Sequence, residues 1–555
     1  MKDRDQIQQK NQFPDSVLDS LFAHFGFTNL TEIQKKASPI ILQKKDCLVI
    51  APTGSGKTEC SVIPVFSLVK KSKKLGKIKV LYITPLRALN RDVFRRITKY
   101  AQYNDLSIEI RHGDTTQTAR RKITENPPDV LITTPETLVI LLTQIKMLDA
   151  LSELEWIIID EVHELLASER GSQLSLSIER LQINSKHYLT KIGLSATVGN
   201  FEEAGKFVVG TKRKCQIIRD TSVRKYDVEV KFVDGTISDV ADKIIEHVLE
   251  LNLDSPILLF TNTRGEAEFL ASILKEKSSI NIELHHGSLS KEVREDTELT
   301  LREGKRGIVV CTSSLELGLD IGSIELVIHY GSPRQVSKLI QRIGRSRHNR
   351  DASAKGLIIT NNSDDEFEAR AILDRIKEGS IEEQKIHDSS LDVLAHHLVG
   401  MTMQLGEIPV NLALEIINNA YPFRNLQLED LLGVLDLLDS NYLIFFDRTK
   451  MTFWKKGRSF KYYFENLSTI PDILKFKVFD SVGKKIIGTL DQRFVGDFGD
   501  SGNIFVLKGS QWRILNVDEK SLSVNVEPFR GGGITVPYWE GESIPVDYNT
   551  AKKVG

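Results

Sequence analysis

Short apolar runs alternate along the chain with longer segments of helical period. In the first part these runs lie at 47–50, 80–83, 130–132, 156–159 and 192–194. In the second part they lie at 257–260, 282–284, 307–310, 326–329 and 356–359. A charged, irregular stretch near 210–220 separates the two parts. Apolar runs this short between helices are typical of buried parallel strands, so the pattern predicts two tandem α/β domains that divide near residue 215.

The pattern changes twice in the last third of the chain. From about residue 388 to 446 the strand pattern fades and apolar residues take helical spacing, which predicts a small helical domain. Beyond Gly457, β-branched and aromatic runs such as 475–480 and 504–507 alternate with glycine. We therefore expect a compact β-rich domain to follow the helical one.

Length and composition agree with a folded, multidomain protein. The chain has 555 residues, more than one hydrophobic core supports, and its 41% hydrophobic and 27% charged residues exclude a largely disordered chain. The segment Met1 to Asp15 is polar, and no apolar run approaches the ~20 residues that span a bilayer. We expect a soluble cytoplasmic protein with no membrane partner. The net charge of −1 implies that any nucleic-acid surface is a local groove.

The spacing of the cysteine and histidine residues does not predict a metal cluster. The four cysteines, at positions 47, 60, 215 and 311, are scattered and are expected to be buried free thiols. His285 and His286 have no cysteine or carboxylate at ligand spacing, so a zinc site there is not expected.

A glycine-rich segment follows the first predicted strand and precedes a predicted helix. Its sequence is Ala51-Pro52-Thr53-Gly54-Ser55-Gly56-Lys57-Thr58. Glycines let backbone N–H groups converge on the β- and γ-phosphates of a nucleotide, where Lys57 supplies positive charge and the Thr58 hydroxyl can ligate Mg²⁺. The strand-loop-helix setting predicts a phosphate-binding loop.

Two carboxylates follow the predicted strand 156–159, in the sequence Asp160-Glu161-Val162-His163. Parallel sheets bind ligands at the carboxyl ends of their strands. We expect Asp160 to hold Mg²⁺ and Glu161 to orient and deprotonate the attacking water. The next strand ends in Ser195-Ala196-Thr197, whose hydroxyl groups can link the phosphate site to a bound strand through hydrogen bonds.

An arginine-rich segment lies in the second predicted α/β domain. It is Gln341-Arg342-Ile343-Gly344-Arg345-Ser346-Arg347-His348. An arginine supplied across a cleft stabilises a transferring phosphate and is worth ~10³ to 10⁵ in rate. Taken alone, the segment fits a solvated cluster of charge equally well.

The order of these motifs resembles that of superfamily 2 helicases and translocases. The order also includes Gln34, Thr84-Pro85-Leu86-Arg87, Thr134-Pro135-Glu136, Phe260-Thr261-Asn262-Thr263-Arg264, Cys311-Thr312-Ser313 and Gly318-Leu319-Asp320. The resemblance implies two RecA-like domains that hydrolyse ATP between them and move along nucleic acid. It also implies that Gln34 recognises adenine and that Gly318 and Asp320 lie by the nucleotide. The residues implied to face the phosphates are Gln341, Arg342 and Arg345.

Further segments resemble the Lhr family (large helicase-related proteins) over nearly the whole chain. They are Arg170-Gly171-Ser172-Gln173-Leu174, Tyr421-Pro422-Phe423, Ile470-Pro471-Asp472 and Trp539-Glu540-Gly541-Glu542. This resemblance implies RecA-like domains at 1–215 and 216–384, a winged-helix domain at 385–457 and a β-rich accessory domain at 458–555. It implies movement 3′ to 5′ on single-stranded DNA and unwinding of DNA or RNA–DNA duplexes, with ATP and Mg²⁺ as cofactors. We expect the winged helix to serve as a packing wall against the motor.

By the same resemblance, loops after strand ends contact the nucleic-acid strand. The implied contacts are Pro85, Arg87, His112, Gly113, Thr134, Pro135, Glu136, Thr261, Asn262, Arg264, His286, Gly287, Thr312 and Ser313. Single-strand motors hold the phosphate backbone with hydroxyls, amides and a few cations. The tryptophans at 454, 512 and 539 are expected to be core residues. His348 stands where many superfamily 2 proteins carry a second arginine finger beside Arg345.

Two other functions stay open on the sequence alone. An RNA helicase or RNA-remodelling ATPase shares every nucleotide motif. A strand-binding or annealing protein can use ATP only as a switch, but the pair Asp160 and Glu161 argues against it because a switch needs no catalytic base. The residues indicate no particular protein partner.

Overall fold

The computed structural model describes most of the chain. The described residues are 24–25, 30–52, 54–72, 74–85, 87–196, 198–220, 226–316, 322, 324–346, 353–467, 474–531, 535–539 and 544–555, with the backbone alone for 87–89. Two compact units divide the chain, the first from residues 1–221 and 383–471, the second from residues 222–382 and 472–555. In these ranges no helix is long and apolar enough to cross a membrane.

The first domain of the first unit is a parallel sheet with helices between its strands. Its strands are β1 (Cys47–Ile50), β2 (Val80–Ile83), β3 (Ile108–Arg111), β4 (Val130–Thr133), β5 (Trp156–Ile159), β6 (Thr190–Ser195) and β7 (Gln216–Arg219). Its helices are α1 (Glu32–Leu42), α2 (Lys57–Val69), α3 (Arg87–Tyr103), α4 (Gln117–Glu125), α5 (Pro135–Leu141), α6 (Ile145–Ala150), α7 (Glu169–Asn184) and α8 (Phe201–Val209). The strand order is β3-β4-β2-β5-β6-β1-β7.

Burial explains which strands the apolar pattern predicts. β1, β2, β4, β5 and β6 are buried at every position and lie where continuous apolar runs predict them. β3 and β7 are less buried strands at the two edges of the sheet, and their sequences show no such run. β7 pairs with β1 although it lies just beyond residue 215, so this edge comes from residues assigned by sequence to the second domain.

The second unit contains a similar parallel sheet. Its strands are β8 (Tyr226–Phe232), β9 (Ile257–Phe260), β10 (Ile282–His285), β11 (Ile308–Cys311), β12 (Val327–Tyr330) and β13 (Ala354–Thr360), in the order β10-β11-β9-β12-β13-β8. Its helices are α9 (Ile237–Leu251), α10 (Arg264–Lys277), α11 (Lys291–Arg302), α12 (Val336–Ile343) and α13 (Ser363–Lys377). The two parallel sheets with their helices confirm the predicted pair of RecA-like domains.

A winged-helix domain completes the first unit. It comprises α14 (Leu391–Leu405), β14 (Ile408–Pro409), α15 (Val410–Asn419), α16 (Leu428–Ser440), β15 (Ile444–Asp447), β16 (Thr452–Lys455) and α17 (Ser459–Glu465). Val139 of α5 and Leu176 of α7 share one apolar cluster with this domain. The Tyr463 hydroxyl donates to the carbonyl of Val139 at 2.9 Å, and Arg180 Nε donates to Gln404 Oε1 at 2.8 Å. The domain therefore packs against the first RecA-like domain, as expected.

A mixed five-stranded sheet completes the second unit. It comprises β17 (Lys475–Asp480), β18 (Lys485–Asp491), α18 (Gln492–Phe498), β19 (Ile504–Leu507), β20 (Ser510–Asp518), β21 (Ser523–Pro528) and α19 (Tyr548–Val554), with sheet order β18-β17-β21-β20-β19. Its apolar core is continuous with the second RecA-like domain. At the turn between β19 and β20, Lys508 N and Gly509 N donate to the buried Glu268 carboxylate at 2.8 Å and 2.6 Å. The accessory sheet is thus anchored on the second domain.

Most of the tryptophans and cysteines that are predicted to be core residues are buried. Trp512 and Trp539 are buried, as expected, and Trp454 is only partly buried. Cys47, Cys60 and Cys311 are buried free thiols, and Cys215 is partly exposed.

Candidate ATP and nucleic-acid site

The residues expected to bind and hydrolyse ATP in the first unit meet at one edge of its sheet. Lys57 follows β1, Asp160 follows β5, and Ser195 ends β6, which lies between those two strands. Because the strands are parallel, their carboxyl ends share the edge at which such sheets bind ligands. The strand order thus brings together motifs that are far apart in sequence.

Two glycines shape the loop after β1. Gly54 and Gly56 have φ values of 73° and 89°, which residues with a Cβ rarely adopt. A Cβ on Gly56 would lie 2.5 Å from Nε2 of Gln34, which is buried. Gln34 is fixed by a reciprocal cap at the start of α1, in which Thr31 N donates to its Oε1 at 3.0 Å and its own N donates to Thr31 Oγ1 at 3.2 Å. Gln34 and the phosphate loop therefore pack directly together.

The ammonium group of Lys57 is buried beside the acidic pair. Its Nζ lies 3.7 Å from Oε2 of Glu161 and has no hydrogen-bond partner among the described residues. A buried ammonium that makes no hydrogen bond is costly, and an anionic ligand would remove that cost. Lys57 is therefore placed to receive a phosphate.

Thr58 and Asp160 converge on the hydroxyl of Tyr82. This hydroxyl donates to Asp160 Oδ2 at 2.6 Å, and the Thr58 side chain is within hydrogen-bonding range of it. Burial and the charge of Glu161 raise the pKa of Asp160 to about 6, against the opposing charge of Lys57. A divalent cation would favour the ionised carboxylate, and hydroxyl and carboxylate oxygens are ligands that Mg²⁺ prefers. These donors therefore fit Mg²⁺.

Glu161 lies at a turn with a φ of 46°, an unfavourable value for a residue with a Cβ. The short 3₁₀ turn that follows brings Nδ1 of His163 to 3.6 Å from Glu161 Oε2 and 3.2 Å from Ser195 Oγ. Ala196 N donates to the same nitrogen at 3.4 Å. The DEVH segment and the end of β6 are thus joined through His163, a role that the sequence pattern does not indicate.

Arg170 connects two loops that are expected to contact a strand. Its Nε lies 2.5 Å from Glu136 Oε1, and its Nη2 donates to the carbonyl of Pro85. Burial raises the pKa of Glu136, but the hydrogen bond and charge of Arg170 outweigh it and leave that pKa below its ordinary value. The sequence shows Arg170 only as part of a family segment and indicates neither partner, because they are 34 and 85 positions away.

The residues after Arg170 form hydrogen bonds with the winged-helix domain and the segment that leads to it. Ser172 Oγ donates to the carbonyl of His387 at 2.7 Å, and Gln173 Nε2 donates to that of Leu467 at 3.0 Å. A Cβ on Gly171 would lie 1.9 Å from the carbonyl oxygen of Leu165, so only glycine fits there. The first turn of α7 therefore holds both the strand-end loops and the winged helix.

Two further loops of the first unit lie at the ends of β3 and β4. Gly113 is exposed and its carbonyl accepts from Arg120 Nη2 at 2.6 Å, while the His112 ring accepts from Asp114 N at 3.1 Å. Thr134 and Pro135 are buried at the start of α5. Arg87 begins α3, and its side chain lies outside the described part of the structure.

In the second unit, Arg342 lies at the centre of a buried polar cluster. Its Nε donates to Glu316 Oε2 at 3.2 Å and its Nη1 to Asn262 Oδ1 at 3.2 Å, with His329 also in contact. Arg345 Nη2 donates to the carbonyl of Glu316 at 2.9 Å. The guanidinium of Arg342 is thus enclosed within the domain rather than presented at its surface.

Gln341 precedes Arg342 on α12 and is also buried. Its Oε1 makes no hydrogen bond within the described ranges. The neighbouring sheet edge presents Thr312, which is buried, and Ser313, which is exposed after β11. Thr261, after β9, is buried and donates to the carbonyl of Thr263 at 2.9 Å.

The loop after β10 combines an interior histidine with an open backbone. His286 is fully buried, and its Nε2 lies 2.8 Å from Glu268 Oε1. Gly287 is exposed, with nothing within 4 Å of a Cβ placed on it. Arg264 Nη1 donates to Ser288 Oγ at 2.6 Å, and its guanidinium lies 5.4 Å from the ring of Trp539.

Several predicted site residues lie outside the described residues. They are Thr53, Thr197, Gly318, Asp320, Arg347 and His348.

Three family models match consecutive stretches of the chain. They are a DEAD/DEAH box helicase model at residues 31–204, a helicase conserved C-terminal domain model at 239–349 and the winged-helix model of large helicase-related proteins at 374–531. The ATP-dependent helicase Lhr-Core of Methanothermobacter thermautotrophicus is 35% identical over 95% of this chain. The chain spans 65% of the length of that relative.

Solved helicase structures also resemble this chain. The Mycobacterium smegmatis helicase Lhr bound to ssDNA and AMP-PNP is 30% identical, with a TM-score of 0.74 over 83% of this chain and 63% of that one. The DUF1998 helicase MrfA bound to DNA has a TM-score of 0.76 over 94% of this chain and 74% of that one, at 19% identity, which shows the fold alone. The family models, the archaeal relative and the Lhr structure agree, and the chain belongs to the large helicase-related (Lhr) family of superfamily 2 helicases.

Proposed function

We propose that this protein hydrolyses ATP to move along nucleic acid and to separate its strands. The observation that supports this best is the buried ammonium of Lys57, which makes no hydrogen bond among the described residues and lies 3.7 Å from Glu161. A phosphate is the natural partner for an ammonium at the end of a glycine-rich loop. The adjacent carboxylates give the site a means of hydrolysis as well as binding.

In this proposal the first unit supplies most of the ATP site. Gln34 recognises adenine, the loop from Thr53 to Thr58 surrounds the phosphates, and Thr58 and Asp160 hold Mg²⁺. Bound Mg²⁺ would neutralise charge that develops on the phosphate oxygens. Glu161 orients a water molecule and accepts its proton, and the fixed backbone of its turn keeps the carboxylate aimed at one position.

The second unit supplies the remaining groups. We assign Arg345 as the arginine that stabilises charge on the γ-phosphate, with Gln341, Gly318 and Asp320 beside the nucleotide. The enclosed guanidinium of Arg342 suits a positioning role, because its bonds to Glu316 and Asn262 fix the start of the arginine segment.

Strand contacts are assigned to the loops at the strand ends. Gly113, Gly287 and Ser313 are exposed, so their backbone groups are accessible to phosphates. The buried side chains of Thr261 and His286 and the half-buried side chain of Asn262 instead shape the loops that carry such contacts. In the first unit, Arg170 fixes Pro85 and Glu136 in one arrangement. The other proposed contacts are Arg87, His112, Thr134, Pro135, Arg264 and Thr312.

The proposed substrate is DNA. The related Lhr structure is bound to ssDNA and AMP-PNP, which favours single-stranded DNA as the track for this chain. Movement 3′ to 5′, with unwinding of DNA or RNA–DNA duplexes, is proposed on the same family resemblance. RNA is the alternative track, since all nucleotide motifs are shared with RNA helicases.

Strand displacement on tailed duplexes tests this proposal. Duplexes of DNA, RNA and RNA–DNA hybrid, each with a 3′ or a 5′ tail, are incubated with ATP and Mg²⁺, and released strand is measured. We expect ATP-dependent release from 3′-tailed DNA and hybrid, and none with Lys57→Ala. Release from 5′ tails alone would overturn the polarity, and release from RNA alone would overturn the substrate. ATP hydrolysis without any release would leave a translocase that does not unwind.

A further inference from the structure

The first RecA-like domain contains a cavity separate from its ATP site. Its volume is about 350 Å³, and it lies where the end of β3, helix α4 and the loop between α5 and α6 come together. Arg111, Arg120, Thr124, Gln144 and Lys146 are among the residues that line it. None of these five residues has a role in the ATP chemistry described above.

The arginine at the base of this cavity has only neutral partners. Arg111 is 4% exposed, and it donates to Thr124 Oγ1 at 3.3 Å and to Gln144 Oε1 at 2.8 Å. Burial and the charge of Arg120 lower the pKa of Arg111 to about 10. By contrast, the half-buried Arg96 of the same domain is paired with a carboxylate, that of Glu59, at 3.2 Å. The positive charge of Arg111 therefore has no carboxylate to offset it within the described residues.

Three further cations, Arg120, Arg121 and Lys146, line the same cavity. Arg120 Nη2 is bonded to the carbonyl of Gly113, but its buried Nε has no hydrogen-bond partner in the described part of the chain. Lys146 is exposed at the rim. The carboxylate of Glu125, which also lines the cavity, lies 2.7 Å from Arg121 on the same helix. Four cationic side chains and one carboxylate thus line the cavity, and the carboxylate is already paired.

The cavity adjoins the predicted path of the nucleic acid. Gly113 and His112 belong to its wall, and Thr137 links it to the first turn of α5, where Thr134 and Glu136 lie. We propose that this cavity binds a phosphate group of the nucleic-acid strand, with Arg111, Arg120 and Lys146 as its cationic partners. The guanidinium and ammonium groups match the oxygens of a phosphodiester. This inference rests on the proposed function, because it needs a strand that follows these loops.

Salt dependence of strand binding measures such a contact directly. Each phosphate neutralised on a single strand contributes about −0.7 to the slope of log K against log salt concentration. We expect Arg120→Gln and Lys146→Gln in the full chain to weaken binding of a fluorescent oligothymidine and to reduce the slope by about 0.7 when combined. Lys122→Gln is the matched control, since Lys122 lies on the same helix, is exposed and pairs with Glu109 at 2.9 Å.

A second measurement locates the phosphate. Oligothymidines in which one linkage is a neutral methylphosphonate are compared position by position. A methylphosphonate at one position is expected to weaken binding to the unaltered protein but not to the protein that carries both Arg120→Gln and Lys146→Gln. Thermal unfolding of each variant shows whether it is folded, and Arg111→Gln is added only if it unfolds like the unaltered chain.

The outcomes separate this inference from the proposed function. If the unaltered chain does not bind the oligonucleotide, the proposed function itself fails. If it binds but folded variants keep the same affinity, slope and methylphosphonate profile, the cavity is not a strand site. If inorganic phosphate binding alone is lost in the variants, the cavity takes a free anion and the proposal is overturned.

Discussion

Replacing Lys57 by alanine tests the acidic pair as well as ATP binding. In the absence of nucleotide, Lys57 is the cation beside two buried carboxylates, with its Nζ 3.7 Å from Glu161. At that distance and an effective dielectric constant of about 20, the attraction is on the order of 4 kcal/mol. Removing one partner of a buried pair typically costs about 3 to 5 kcal/mol. We therefore expect Lys57→Ala to abolish ATP hydrolysis and to lower the free energy of unfolding by a few kcal/mol.

A double-mutant cycle isolates the interaction. Urea unfolding is followed by tryptophan fluorescence, since Trp156 is buried in β5, the strand that leads to Asp160. Lys57→Ala combined with Glu161→Gln is expected to lose less stability than the sum of the single changes, by about 1 to 3 kcal/mol. The same cycle on the exposed pair Lys243 and Glu246 is the control, and solvent screening should leave it nearly additive. Additivity at Lys57 and Glu161 would refute the reasoning.

The other predictions concern catalysis, pH and domain packing. Glu161→Gln should keep ATP binding while lowering hydrolysis by about 10² to 10⁴, and lost affinity in nucleotide-binding fluorescence would contradict the assignment. Arg345→Ala should lower kcat more than ATP affinity in steady-state kinetics, as for a contact made in the transition state, and an unchanged kcat would exclude it. Burial lowers the pKa of His396 from 6.5 to about 4. As the pH falls, this histidine therefore gains a proton in the unfolded chain before it does in the folded chain. The contribution of neutral His396 to stability should be complete above pH 6.5 and lost as the pH falls toward 4. His396→Gln should therefore flatten the fall in unfolding temperature between these two pH values. A fragment ending at Gly379 should be less soluble in light scattering than the full chain, because it uncovers apolar residues of α5 and α7.

Local features of the site could be predicted from sequence, and contacts between distant segments could not. The phosphate loop and the acidic pair are short motifs at strand ends, and buried strands appear as continuous apolar runs. The edge strand β8 has alternating, half-exposed residues, so it shows no such run. The burial of His286 depends on Glu268 and on a turn of the accessory sheet. Nothing near His286 in the sequence indicates these partners.

The same limit applies to Arg170. Its residue type is visible in the sequence, but its partners Glu136 and Pro85 are fixed by how α5 and α7 lie side by side. A glycine beside it gives the one local hint, since Gly171 permits a contact with Leu165 that any side chain would prevent. That hint indicates close packing and does not identify what Arg170 binds.

The two units are interleaved along the chain, which bears on how the protein is synthesised. The first unit begins with residues 1–221 but is completed only by residues 383–471, after most of the second unit has been translated. Until then Val139 and Leu176 have no winged helix to cover them. Domains fold as units during synthesis, and transiently exposed apolar surface promotes aggregation. The nascent chain therefore exposes these apolar residues of α5 and α7 until the winged helix has been made, and slow translation through residues 222–382 would lengthen that exposure.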